Sequence, residues 1–137
     1  MKKLIIAAIM ALSISTTSTL AEIKMGIILG FTGPIESLTP AMAASAELAF
    51  KEASDSGSLL GGEKISPIRA DSTCVDSAAA TTAAEGLVSQ GVAAIMGADC
   101  SGVTGAIATN VAVPNGCLLY TSPSPRDLST SRMPSSA

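Results

Sequence analysis

The chain has no histidine and no tryptophan, and only one tyrosine and two phenylalanines among its 137 residues. Without histidine, Ser/His/Asp and Cys/His nucleophilic schemes are excluded, and most zinc sites lose a principal ligand. So few aromatic rings leave little for a core or cleft to stack on. Basic residues are also outnumbered, with a formal net charge of −3, and a nucleic-acid partner would need a basic surface. The length bounds the fold to a single domain.

What is present begins with an export signal. Lys2 and Lys3 precede the apolar run Leu4 to Ile14, and Thr19-Leu20-Ala21 is a small-x-small cleavage site, so residues 1–21 read as a signal peptide and the mature chain starts at Glu22. The run is too short for a membrane anchor, which needs about 20 residues. Export leads to an oxidising compartment, where Cys74 and Cys100 are better read as a disulfide than as metal ligands or a reactive pair.

After the signal the pattern alternates. Ile23 to Gly30 is nearly continuous in apolar residues, as for a strand buried on both faces. Thr39-Pro40 reads as an N-cap followed by proline, opening a helix with Met42, Ala46, Ala49, Phe50 and Ala53 on one face. Ile65 to Ala70 is a second strand, and Pro67 within it places that strand at a sheet edge. Ser77 to Gln90 is an alanine-rich helix with Ala80, Ala84, Leu87 and Val88 buried. Val92 to Met96 is a third strand, Val103 to Val111 a third helix, and Pro114-Asn115-Gly116 a turn. This order predicts an α/β fold, a parallel sheet with right-handed βαβ crossovers and ligands at the carboxyl ends of the strands.

The pattern stops at Gly116. Residues 117–137 are rich in serine and proline without apolar periodicity, and the bland reading is a disordered linker. A more specific reading is available. Cys117 to Asp127 and Ser131 to Ala137 are what the adapter ends of transposase-based sequencing libraries encode, with Leu128-Ser129-Thr130 as a barcode between them. On this reading the domain spans residues 22–116, the tail is non-native, and Cys117 is no functional thiol.

The candidate site is the turn Gly97-Ala98-Asp99-Cys100-Ser101-Gly102-Val103-Thr104. A strand turning into a helix there leaves N–H groups pointing outward beside the Ser101 and Thr104 hydroxyls, an arrangement suited to a carboxylate. Ser101 reads as an N-cap that also meets ligand, against the commoner reading of a cap alone. Thr104 has the rival role of satisfying a backbone group, and Asp99 that of a solvated turn residue. Asp71 and Asp76 read as loop and cap residues. Gly26, Gly30 and Gly33 do not have the spacing of a dinucleotide fingerprint.

Taken together, Glu22 to Pro34 with its Thr-Gly-Pro turn, the alanine-rich helix, Ala70-Asp71-Ser72-Thr73-Cys74 and the Gly97 to Gly102 turn resemble the periplasmic branched-chain amino-acid binding proteins. These are type I substrate-binding components of ABC transporters. The resemblance covers essentially all of Ile23 to Gly116, and implies part of the first of two lobes. It further implies a Cys74–Cys100 disulfide, carboxylate binding at Ser101 in a site with Gly102 and Thr104, no cofactor, and a membrane permease as partner in the periplasm. A ligand-packing aromatic of the leucine-binding members falls at Leu38, and the strand-four contacts would begin after Gly116. An extracellular sensing domain of a receptor is the alternative. An exported enzyme is disfavoured, because no nucleophile is paired with a base.

Overall fold

The computed structural model describes residues 22–121; the expected signal peptide and everything after residue 121 lie outside the described residues. Four strands form one parallel sheet in the order β2-β1-β3-β4, with β1 at Glu22–Leu29, β2 at Lys64–Asp71, β3 at Ala94–Gly97 and β4 at Leu118–Tyr120. Helices α1 (Thr39–Asp55), α2 (Ser77–Ser89) and α3 (Ser101–Ile107) make the crossovers.

Consecutive residues of a strand face opposite sides, so an interior strand of this sheet must be apolar throughout. Ile28 turns to one face and joins Ala80, Ala84 and Leu87 of α2, Ile95 of β3, and Val103 and Ile107 of α3. Ile27 and Leu29 turn to the other and join Ala43 of α1, with Ala46, Phe50 and Met96 packed around them. Pro67 sits opposite Met25 on β2, which is an edge of the sheet, as its missing N–H requires.

The start of α1 differs from the sequence expectation. Leu38, not Thr39, occupies the N-cap of α1, and no side chain caps that end. Thr39 is instead fully buried, and its hydroxyl donates to the Gly30 carbonyl at 3.1 Å, pinning the helix to the end of β1. The buried stripe is also rotated. Ala43 is buried against Ile27 and Leu29 of β1 with Ala46 and Phe50 beside it, while Met42 and Ala49 are exposed; the ion pair from Arg69 to Glu47, at 2.6 and 2.8 Å, links α1 to β2 at the surface. At α2, Asp76 is the N-cap and accepts the N–H groups of Ala78 and Ala79.

The third helix starts at Ser101 and runs on through a π-helical turn, Ala108–Ala112, into a short α4, Val113–Asn115. The widened turn carries the Val113 N–H back to the Ala108 carbonyl, five residues earlier. It lies where Pro114, lacking an N–H, would otherwise crowd an α-helical turn. Gly116 then ends the helix in the left-handed conformation, φ 60°, with its own N–H bonded to Val113 and that of Cys117 to Ala112.

The segment expected to be a disordered tail from Cys117 starts instead with a strand. Leu118, Leu119 and Tyr120 pair with Ala94, Ile95 and Met96, and Leu119 and Cys117 pack on the core. A short apolar run delivered to an open sheet edge by the Gly116 turn pairs with it despite the polar residues that follow.

A candidate ligand site at the carboxyl ends of the strands

Three loops meet where β1, β2 and β3 end. The Ser72 N–H donates to the Leu29 carbonyl at 2.8 Å, joining the second loop to the first strand. Asp71, the last residue of β2, accepts the Thr32 hydroxyl at 2.6 Å, the Thr32 N–H at 3.3 Å and the Thr73 N–H at 2.8 Å. Burial pushes the Asp71 carboxyl up, but the Thr32 hydroxyl and the N–H groups of Thr73, Thr32 and Phe31 outweigh it and hold the group below its ordinary range. Asp99, following β3, accepts the Gly30 N–H at 2.9 Å and, at a longer 3.5 Å, the hydroxyl of fully buried Ser72.

The Cys74–Cys100 disulfide is formed, with Cα atoms 5.3 Å apart. It ties the loop after β2 to the residue preceding α3. Each carboxyl-end loop is therefore fastened to another by a covalent bond or by a carboxylate.

Of the candidate residues, Ser101 and Gly102 stand exposed in the first turn of α3. Ser101 is not the N-cap: Cys100 holds that position and no side chain caps the helix. The Ser101 side chain is left free because the chain turns one residue earlier, where the disulfide fixes Cys100. The Thr104 hydroxyl donates to the Cys100 carbonyl at 2.8 Å, so its proton serves the backbone. Leu38 is 61% exposed at the start of α1.

Beside these loops lies an open cavity of about 250 Å³, lined by Leu29, Met42, Met96, Gly97, Asp99 and Tyr120 among others. None of Ser101, Gly102, Thr104 or Leu38 lines it. Asp99 is not the solvated turn residue of the bland reading; it is partly buried and bonded to two loops. Its sequence signal was an acid in a turn that otherwise consists of small residues.

Among the described residues no group of three metal-ligating side chains is gathered, and no helix is long and apolar enough to cross a membrane.

A parallel sheet with its crossover loops fastened at the carboxyl ends is the frame of an α/β ligand-binding lobe. The profile of the periplasmic binding proteins matches residues 22–135, and the chain belongs to that family. The match runs beyond Gly116 into the adapter-like segment. Similar solved structures include the branched-chain amino-acid transporter substrate-binding protein LivJ of Streptococcus pneumoniae in complex with isoleucine, 28% identical with a TM-score of 0.65 over 74% of this chain and 28% of that one. The leucine-binding protein LivK of Thermotoga maritima is 26% identical with a TM-score of 0.62, over 72% of this chain and 27% of that one. An ABC-type branched-chain amino-acid transporter protein of Rhodopseudomonas palustris is 25% identical with a TM-score of 0.64, over 74% and 27%. No curated protein sequence matches. The chain thus spans under a third of the length of these relatives.

Proposed function

We propose that the chain is the first-lobe portion of an extracytoplasmic solute-binding protein of an ABC transporter, which captures an amino acid or a similar small carboxylate for delivery to a membrane permease. The observation that carries this reading is the exposed Ser101-Gly102 turn, held at the carboxyl end of the sheet by the disulfide and by Asp99. Its likeness to an isoleucine-bound structure supports a branched-chain ligand.

In this reading the Ser101 hydroxyl and the N–H of Gly102 donate to the ligand carboxylate. Leu38 offers an apolar wall to its side chain. Thr104, whose hydroxyl proton is already committed to Cys100, supports the turn. The reading places the mature protein in the periplasm after cleavage of residues 1–21, and assigns residues 117–137 to adapter sequence in place of native chain.

Calorimetry on the uninterrupted gene product tests the site. Leucine, isoleucine or valine should bind, and Ser101→Ala should weaken binding by at least about tenfold, the loss of one hydrogen bond to a charged group. Equal affinity in the variant contradicts the assignment of Ser101.

A further inference from the structure

The turn that carries Ser101 is fastened in two directions by two different devices. The disulfide joins Cys100 to Cys74 and so fixes the turn against the loop after β2. It reaches the loop after β1, which leads to Leu38, only indirectly, through the bonds that the loop after β2 makes to Leu29 and Thr32. The direct tie is Asp99. One carboxylate oxygen accepts the Gly30 N–H at 2.9 Å and the other the Ser72 hydroxyl at 3.5 Å. The same Gly30 accepts the Thr39 hydroxyl at its carbonyl, 3.1 Å away, and Thr39 directly follows Leu38. A chain of two hydrogen bonds therefore runs from the Ser101 turn through Gly30 to the start of α1. Asp99 sits immediately before the disulfide cysteine, so its carboxylate acts on the turn itself, without a flexible segment between.

We propose that Asp99 is a positioning residue which, by accepting the Gly30 N–H and the Ser72 hydroxyl, sets the separation between the Ser101 turn and the loop ending at Leu38, and with it the opening that receives the ligand. The inference rests on the ligand reading above for its functional part and on geometry alone for its bracing part. The acceptor oxygen matters here more than the charge. Asparagine at this position keeps an oxygen for the Gly30 N–H, while its amide can donate to the Ser72 hydroxyl. Alanine removes both contacts and leaves the Gly30 N–H without its partner.

Two readouts separate the parts. In the 15N-labelled chain, with the Cys74–Cys100 link verified by mass, Asp99→Ala should speed hydrogen exchange at the Gly30 amide by at least about tenfold, and Asp99→Asn should keep it protected. In the uninterrupted gene product, Asp99→Ala should weaken leucine binding about tenfold while Asp99→Asn stays within a few-fold of wild type. Unchanged Gly30 exchange and unchanged affinity in Asp99→Ala overturn the proposal. If Gly30 exchange quickens yet no amino acid binds even to wild type, the bracing stands and the ligand reading falls. Should Asp99→Ala fail to fold, Asp99→Asn decides: retained protection and affinity support the acceptor role, and loss of both overturns it.

Discussion

Gly97 ends β3 with φ 123°, and a Cβ built there would run into the carbonyl oxygen of Ile28 on β1. Backbone, not a flexible side chain, is in the way, so the sheet would have to part to admit even alanine. Gly97→Ala is expected to cost at least about 3 kcal/mol, combining the strain of that conformation with the clash, and urea unfolding followed by circular dichroism would measure it. A second residue-scale prediction concerns acid. The Asp71 carboxyl is held below its ordinary range in the folded chain, so its contribution to stability is complete above the unfolded carboxylate value and is lost as pH falls through the lowered one. Thermal melts from neutral pH down to about pH 3 should fall more steeply for wild type than for Asp71→Asn. Parallel curves would contradict that origin. At this scale the sequence was legible for Asp76, whose place before an alanine-rich run marks a cap. It was poorly legible for Asp71 and Asp99, because a carboxylate in a loop looks the same in sequence whether it faces water or another loop's N–H groups.

At the scale of elements, periodicity located β1 to β3 and α1 to α3, but not the short α4 that was read as a turn, and the ends and faces of these elements depended on partners distant in sequence. On α1 the expected stripe holds at Ala46 and Phe50 but takes in Ala43 in place of Met42 and Ala49, while on its β2 side Glu47 meets Arg69, which lies 5.6 Å from the Phe31 ring. No local pattern in α1 encodes that pairing. Likewise the π-helical turn before Pro114 resolves a conflict between a helical run and a proline, and a sequence pattern alone reads it as a stop. Pro67, by contrast, announced an edge strand, since the constraint is carried by the residue itself. The disulfide supports the elements that it joins. It closes a loop with a sequence separation of 26, and its loss should destabilise the chain by about 3 kcal/mol, read as a lower urea midpoint after reduction. A midpoint unmoved by reduction would show that hydrogen bonding by Asp71 and Asp99 suffices.

At the scale of the molecule, α2 and α3 cover one face of the sheet, and α1 covers only part of the other. Met25, Phe50, Met96, Leu118 and Tyr120 line an apolar recess of about 330 Å³ there. Leu118 and Tyr120 remain largely exposed. The chain spans under a third of the length of its similar structures, and in the proposed reading the loops at the strand ends are one wall of a site whose other wall lies in the remainder of the protein. Closure between two walls excludes water and supplies much of the affinity of such a site. The chain by itself is therefore expected to bind leucine no more tightly than the millimolar range, and calorimetry showing micromolar binding by it would contradict this.

Whether the Ser101 turn belongs to an amino-acid site is read from a thermal-shift series on the uninterrupted gene product with leucine, isoleucine and valine beside acidic and basic amino acids. Ligand at about 100 times Kd adds about 2.7 kcal/mol by mass action, a rise in Tm of several degrees that grows with concentration. That rise is expected for at least one branched-chain amino acid, without turnover of the ligand. A Tm that stays flat across the whole panel would contradict it.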